Sequence, residues 1–196
     1  MPFSDPTAHP ILRDAIAERA APGDTFLDCG VGCGITGRII REACDGATIT
    51  GLEVYAPYVT SDKLRIMQRD QWGLYHELYD SMVLGPEGEM CTWLDGTRSQ
   101  QHDFVIFGDS LEHVTEAEAE EALADARAIA RKAVLVTTPL KYLRDGVWYW
   151  VGQTEAFGNA HEAHLKHWQR HELEALGLTF LGSGEKASVF VWDRGD

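Results

Sequence analysis

The amino-acid sequence predicts a Rossmann-like α/β fold: a doubly wound, mostly parallel sheet of seven strands in a single domain spanning residues 1–196. Three observations predict it. Short apolar runs typical of buried strands alternate with amphipathic helical stretches, a glycine-rich segment directly follows the first strand, and a Gly-Ser-Gly turn joins the last two strands. Parallel neighbours need crossover connections, so the alternation requires helices on both faces of the sheet. The C-terminal hairpin adds an antiparallel edge.

The N-terminal half is predicted to alternate helices with strands. The first helix has apolar residues at helical spacing and ends before the breakers Pro22 and Gly23. The next strand is compact and runs straight into the glycine-rich segment. The predicted elements are, in order, helix 10–20, strand 25–28, helix 35–45, strand 48–54, helix 59–72 and strand 81–84.

The C-terminal half continues the alternation and ends in a hairpin. Thr115 is a predicted N-cap for an Ala/Glu-rich helix, and residues 140–160 are irregular and rich in aromatic residues. The aromatic stretch 142–150 is open to three interpretations: core packing, a lid over a binding site, or a dimer contact. We expect Ala119, Leu123, Ala126 and Ile129 to face inward. The predicted elements are strand 104–107, helix 116–132, strand 133–137, helix 168–176 and strands 178–182 and 187–192.

The charge balance limits the partners. The 196 residues include 17 Lys and Arg against 31 Asp and Glu, a formal net charge of −14. This charge disfavours binding to nucleic-acid phosphates or anionic lipid headgroups. No apolar stretch approaches the roughly 18 residues of a membrane span, and the N-terminus lacks the features of a signal peptide. We therefore expect a cytoplasmic protein without a nucleic acid or a membrane as partner.

The cysteines predict neither disulfides nor a zinc ribbon. None of the four forms a CxxC pair, and nothing in the sequence suggests secretion. Thiols in this setting stay reduced. The residues concerned are Cys29, Cys33, Cys44 and Cys91.

A glycine-rich segment at residues 27–37 follows the first predicted strand, where ligands bind in open α/β sheets. Two kinds of site fit it. Residues 32–37 match the dinucleotide pattern GxGxxG, with Glu53 about 20 residues further on. Residues 28–34 read instead as DxGxGxG, an acidic strand end followed by three glycines, again with Glu53 at the end of the next strand.

The charge at the strand end favours the second site. A dinucleotide places its pyrophosphate at the helix N-terminus, where the Asp28 carboxylate would repel it. Asp28 suits a ligand with positive charge, such as one that carries an ammonium and a sulfonium group. Glu53 can accept both ribose hydroxyls in either case. A short-chain dehydrogenase would also carry a YxxxK pair, and none of the six tyrosines has Lys four residues later.

The sequence resembles the class I S-adenosylmethionine-dependent methyltransferases of the small bacterial type. The resemblance extends over nearly the whole chain and rests on LDCGVGCG at 27–34, TGLEV at 50–54, HDFVIFGDSLEHV at 102–114 and VLVTTP at 134–139. It implies that S-adenosyl-L-methionine is the cofactor and S-adenosyl-L-homocysteine the product. The implied cofactor-binding residues are Asp28, Gly30, Gly32 and Gly34 for the methionine part, Glu53 for the ribose, and Asp109 along the pocket.

One part of the family pattern is missing. Many relatives place an Asp after the third strand, close to the adenine ring, but here Pro86 and Glu87 follow that strand. An Asp appears only at Asp95. Glu87, Asp95 and backbone groups alone all stay candidates for the adenine contact.

Histidines are the candidates for proton transfer. Positioning alone can supply roughly 7–11 kcal/mol of the acceleration in a methyl transfer, and a general base adds about 10²–10⁴-fold. We predict three candidate bases: His113 after the fourth strand, and His161 and His164 in a His-rich segment. His113, together with Glu112, can alternatively brace the next helix.

The His-rich segment at residues 158–171 has three interpretations. His164, His167 and His171 share a face if the segment is helical, which would suit a metal. The histidines can instead be solvated or cap a helix. The third interpretation, a wall of the acceptor site, is favoured because the segment resembles one found in a group of small bacterial methyltransferases. We predict no metal, because no Cys joins the histidines and methyl transfer needs none. The matching residues are Gly158, Asn159, Glu162, His164 and Trp168.

The resulting expectation is a methyltransferase that moves a methyl group to an oxygen or nitrogen of a small molecule by in-line displacement. Nothing in the sequence names the acceptor, and a homodimer stays open. Two alternatives are kept: an NAD-dependent oxidoreductase, and a non-catalytic methyltransferase-like binding subunit. An intact glycine loop argues against the second, because such a permissive segment is costly to keep without a ligand.

Overall fold

The computed structural model describes residues 5–60, 75–85, 101–139, 143–144, 147–148, 161 and 163–195. A 3₁₀ helix at Leu111–His113 follows the fourth strand. The helices are α1 (His9–Ala17), α2 (Ile35–Ala43), α3 (Pro57–Thr60), α4 (Tyr75–Leu78), α5 (Glu116–Ile129) and α6 (Arg170–Ala175). The strands are β1 (Thr25–Cys29), β2 (Thr48–Glu53), β3 (Ser81–Leu84), β4 (His102–Gly108), β5 (Ala130–Pro139), β6 (Leu143–Arg144), β7 (Val147–Trp148), β8 (Thr179–Ser183) and β9 (Ala187–Asp193).

Seven of these strands form one sheet in the order β3-β2-β1-β4-β5-β9-β8, which confirms the predicted architecture. The first five pair in parallel, as crossover connections require. β9 is antiparallel to both of its neighbours, β5 and β8. The final hairpin is therefore as predicted, with its last strand inserted between β5 and β8. β6 and β7 form a separate antiparallel pair.

Two apolar layers cover the two faces of the sheet. α1 and α2 pack on one face, where Ile16 and Ile40 are fully buried. α5 and α6 pack on the other face. The residues predicted to point inward from α5 are all buried there, which confirms the amphipathic pattern: Ala119, Leu123, Ala126 and Ile129.

The ends of α5 illustrate what local sequence does and does not determine. At its start, Thr115 accepts a hydrogen bond from the Glu118 backbone N–H and donates its own N–H to the Glu118 side chain, which confirms the N-cap. At its end, the prediction of helix to residue 132 is wrong. Ala130 already pairs with His102 of β4, so strand pairing ends the helix three residues early.

Two predictions fall partly or wholly outside the described residues. The helix predicted at 59–72 begins with α3, and residues 61–74 are not described. The aromatic stretch at 142–150 is described only for the backbone of β6 and β7. The described cysteines, Cys29, Cys33 and Cys44, are buried thiols. None of the described helices combines the length and hydropathy that crossing a membrane requires.

Candidate functional site

The glycine-rich loop connects β1 to α2 at the carboxyl edge of the sheet. Its backbone is tied to the neighbouring strand, because the N–H groups of Gly30 and Val31 donate to the Leu52 carbonyl at 2.9 and 3.2 Å. Gly30, Gly32 and Gly34 have φ values of +90°, +53° and +84°. These left-handed conformations are open to glycine at little cost. The sequence pattern therefore reflects a backbone that turns sharply between a strand and a helix.

Glu53 closes this loop from the end of β2. Its side chain is buried, and its two carboxylate oxygens accept the backbone N–H groups of Gly32 and Tyr55, each at 2.8 Å. The predicted ribose-binding acid therefore lies directly against the glycine loop.

Asp28 lies fully buried at the end of β1. Its Oδ2 accepts a hydrogen bond from the Tyr79 hydroxyl at 2.6 Å, and that hydroxyl accepts the Gly37 backbone N–H at 3.2 Å. The other oxygen, Oδ1, has no hydrogen-bond partner among the described residues. Burial, together with the negative charge of Glu53, raises the pKa of Asp28 to about 7, although the Tyr79 hydroxyl opposes this shift.

The raised pKa of Asp28 predicts a specific dependence of stability on pH. The unfolded chain releases this proton near pH 4, whereas the folded chain keeps it until about pH 7. The free energy of unfolding should therefore fall as pH rises through this window. We expect the stability of Asp28→Asn relative to the unmodified chain to increase from pH 4 to pH 7 and to stay constant above pH 7.

Urea unfolding at a series of pH values checks this prediction. Tyr79→Phe serves as the companion variant, because loss of the opposing hydroxyl raises the Asp28 pKa further and extends the window to higher pH. A stability difference between Asp28→Asn and the unmodified chain that stays constant from pH 4 to pH 8 would contradict the assignment.

The end of β4 approaches the glycine loop closely. A Cβ atom added at Gly30 would lie 2.8 Å from the Ser110 Cβ, closer than packed carbon atoms come. Asp109 has a φ of 52°, and its Oδ1 accepts a hydrogen bond from the Thr137 hydroxyl at 3.0 Å. The buried Ser110 Oγ has no hydrogen-bond partner among the described residues. Asp109 and Ser110 thus sit at the same edge of the sheet as the glycine loop.

Glu112, His113 and His164 come together just after β4. The His113 and His164 rings are perpendicular, with centroids 4.8 Å apart, and His113 Nε2 lies 4.0 Å from Glu112 Oε1. Burial and the charge of Asp109 raise the pKa of Glu112 to about 8. Burial and the adjacent His164 lower the pKa of His113 to about 2. His113 is therefore neutral at pH 7 and a weak base.

The segment 163–168 is attached to the 3₁₀ helix. The backbone N–H groups of Leu165 and Lys166 donate to the Glu112 carbonyl at 2.8 and 3.1 Å, and the Trp168 indole N–H donates to the Leu111 carbonyl at 3.3 Å. These bonds hold His164 against His113. Trp168 is itself completely buried in the core.

The helical condition for the three-histidine metal site is not met. Residues 164–167 are irregular, and α6 begins only at Arg170. His167 lies near His164, with ring centroids 5.9 Å apart, but His171 belongs to α6 and is exposed. The backbone bonds to Glu112 replace the hydrogen bonds that a helix would have made. The structure thus pairs His164 with His113 and Glu112 instead.

Several residues of this edge were not found from the sequence. The carboxyl groups of Asp28, Asp109 and Glu112 each accept a hydrogen bond from a hydroxyl group that lies far away in the sequence. The donors are, in that order, Tyr79, Thr137 and Thr138. No local pattern marks Tyr79, and the two threonines lie in the VLVTTP segment, whose pattern does not assign them a role in the site. Of the predicted residues, His161 is half-buried just before the 163–168 segment. Five of the predicted residues lie outside the described residues: Glu87, Asp95, Gly158, Asn159 and Glu162.

Comparison with known proteins gives structural matches only. No family model matches the chain, and no curated protein does either. A solved O-methyltransferase family protein from Burkholderia thailandensis is 16% identical, with a TM-score of 0.62 over 96% of this chain and 56% of its own. Human N-acetylserotonin methyltransferase, solved with S-adenosylmethionine, is 12% identical, with a TM-score of 0.60 over 96% of this chain and 52% of its own.

A smaller neighbour covers more of its own length. Magnesium protoporphyrin IX methyltransferase from Synechocystis PCC 6803, solved with S-adenosylmethionine, is 13% identical, with a TM-score of 0.54 over 94% of this chain and 74% of its own. The chain has the class I methyltransferase fold. It spans only about half the length of the Burkholderia and human methyltransferases.

The residues at the edge of this methyltransferase fold suit a cationic nucleoside ligand. Two buried oxygens of this edge, Asp28 Oδ1 and Ser110 Oγ, have no hydrogen-bond partner among the described residues. Buried polar atoms are nearly always satisfied, so such atoms indicate a missing partner. Gly30 lies directly against the Ser110 side chain, so the glycine loop and the end of β4 are packed together beside these oxygens.

Proposed function

We propose that the chain is an S-adenosylmethionine-dependent methyltransferase acting on an oxygen or nitrogen atom of a small molecule. The observation that carries the proposal is the acidic pair around the glycine loop, Asp28 beneath it and Glu53 against it. A carboxylate whose pKa is raised by burial regains its charge most readily beside a cation. The fold-level likeness to methyltransferases solved with this cofactor adds support.

Each residue of the pocket has a proposed part in binding. Asp28 binds the cationic methionine end, and the backbone of Gly30, Gly32 and Gly34 lets this end approach closely. Glu53 accepts the ribose hydroxyls, exchanging one or both of its backbone N–H partners for them. When bound, S-adenosylmethionine supplies an activated methyl group on its sulfonium. The protein's contribution is to hold donor and acceptor in line and to exclude water.

The acceptor side of the pocket is proposed to lie at Asp109, His113, His161 and His164. Because the pKa of His113 is lowered to about 2, its ring suits orientation better than proton removal. The proposed small-molecule site lies within one chain, whether that chain is a monomer or part of a homodimer. The acceptor atom is an oxygen or a nitrogen. The net charge of −14 also favours a small-molecule acceptor, since it repels nucleic acid.

A thermal-shift comparison tests the proposal against its main alternative. S-adenosylhomocysteine should raise the melting temperature of the full chain in a concentration-dependent way, since a ligand that binds only the folded state stabilises it. NAD⁺ at the same concentrations should leave the melting temperature unchanged. A shift produced by NAD⁺ and not by S-adenosylhomocysteine would replace the proposal with the oxidoreductase.

A further inference from the structure

We propose that Glu112, His113 and His164 form a binding site for one divalent transition-metal ion. One ligand atom from each residue lies within 4.8 Å of those of the other two. Two imidazoles and one carboxylate are typical ligands of Zn²⁺ and its first-row neighbours, whereas Mg²⁺ and Ca²⁺ prefer oxygen ligands. The ligand chemistry therefore points to a Zn²⁺-like ion.

Two of the three ligands are already oriented by bonds from their other polar atom. His113 Nδ1 lies 3.3 Å from the Ala163 carbonyl, which can only accept, so the tautomer with its hydrogen on Nδ1 makes this bond and leaves the lone pair on Nε2. Nε2 is the nitrogen that lies 4.0 Å from Glu112 Oε1. The Thr138 hydroxyl donates to the opposite oxygen, Glu112 Oε2, at 3.1 Å. Such outer hydrogen bonds fix the tautomer and direction of metal ligands.

The spacing of the three ligands is close to what an ion needs. A tetrahedral ion with bonds near 2.1 Å holds its ligand atoms about 3.4 Å apart, so the widest pair here would close by about 1.4 Å. His164 approaches from the 163–168 segment, whose backbone N–H groups at residues 165 and 166 bind the Glu112 carbonyl. These backbone hydrogen bonds to Glu112 therefore hold the segment that carries the third ligand beside the first.

The burial of Glu112 gives an independent reason for a cation. The residue is 1% exposed, and among the described residues the basic side chain within 4.0 Å of its carboxyl group is the neutral His113 rather than a Lys or Arg. Lys166, on the adjoining segment, pairs instead with Glu116 and Glu172. A buried carboxylate is costly unless a cation or a metal compensates it.

Three protein ligands leave a coordination position open, as in catalytic rather than structural zinc sites. The cluster follows Asp109 at the sheet edge that holds the glycine loop. On the proposed function, on which this step alone rests, the open position would take a hydroxyl group of the acceptor, whose pKa a divalent ion lowers. His113 and His164 would then serve as ligands and not as bases, and the acceptor atom would be oxygen.

Zinc binding by the tag-free full chain tests the site. The protein is stripped with a chelator, dialysed against Zn²⁺, and its metal content measured by mass spectrometry. We expect one Zn²⁺ per chain, and at least about tenfold weaker binding in His164→Ala and Glu112→Gln. His171→Ala is the matched control, because it removes an exposed histidine from the adjacent α6 and should bind Zn²⁺ as the unmodified chain does.

Co²⁺ gives a second readout that does not depend on activity. The unmodified chain should develop the intense visible absorption of a low-coordinate Co²⁺ site, and His164→Ala should lose it. An unmodified chain that binds no Zn²⁺, or a His164→Ala chain that binds it equally well, would overturn the proposal. So would a loss in His171→Ala as large as in His164→Ala, which would mark a surface histidine site.

The same samples separate this proposal from the proposed function. S-adenosylhomocysteine binding is measured on each of them by thermal shift. Cofactor binding without Zn²⁺ binding overturns the metal site alone, and Zn²⁺ binding without cofactor binding overturns the methyltransferase proposal alone.

Discussion

Glu53→Ala should weaken the binding of S-adenosylhomocysteine by about 10- to 100-fold. The substitution removes a buried carboxylate that is proposed to exchange backbone N–H partners for ribose hydroxyls, and a net contribution of one hydrogen bond to a charged group, about 1.5–3 kcal/mol, corresponds to this loss. It also frees the N–H groups of Gly32 and Tyr55 that the carboxylate now accepts. The dissociation constant is measured by calorimetry at constant pH.

Two variants separate the role of Glu53 from a general effect of charge or folding. Glu120→Ala also removes one negative charge, from an exposed position on α5, and should leave the affinity unchanged. Glu53→Gln keeps one acceptor oxygen and should lie between Glu53→Ala and the unmodified chain. Equal affinity of all three variants and the unmodified chain would show that the ribose does not bind at Glu53.

Gly30→Ala should destabilise the chain by about 2–6 kcal/mol and abolish cofactor binding. Part of the cost is the left-handed backbone at φ +90°, about 1–3 kcal/mol for a residue with a side chain. The remainder is the overlap of the new methyl group with Ser110, whose Cβ lies 2.8 Å away, and overpacking of this kind costs about 1–3 kcal/mol. Urea unfolding measures the loss.

Gly23 offers a matched control for Gly30→Ala. Its φ is +86°, but no atom lies within 4 Å of an added Cβ, so Gly23→Ala should carry only the backbone cost. Ser110→Gly introduced into the Gly30→Ala chain should recover most of the difference between the two variants. A Gly30→Ala chain as stable as Gly23→Ala would mean that the glycine loop and the end of β4 are not packed together.

The elements of the fold could be predicted because they depend on local patterns. β1, α2 and β2 follow from apolar runs and glycine punctuation within a few residues, and α5 carries its own capping box. Its C-terminal end could not be predicted, because Ala130 leaves the helix in order to pair with His102 across the sheet. Pairing between strands about 30 residues apart leaves no mark in the local sequence.

The candidate site, like the fold, could be predicted from the sequence only where it depends on local patterns. The glycine loop and Glu53 were identified because strand ends and glycines have a fixed spacing in this type of sheet. Tyr79 was not, because it reaches Asp28 through space from a position 51 residues away. The sequence singled out His164 because of the His-rich segment around it. Its pairing with His113 and Glu112 was not predicted, because it depends on an irregular backbone and the metal interpretation assumed a helix.

The central claim is that the loop between Asp28 and Glu53 binds S-adenosylmethionine, and equilibrium dialysis of the labelled cofactor tests it most directly. The full chain should bind S-adenosylmethionine at a single saturable site, from which unlabelled S-adenosylhomocysteine displaces it and NAD⁺ does not. An absence of binding at millimolar cofactor, or displacement by NAD⁺ instead, would contradict the account.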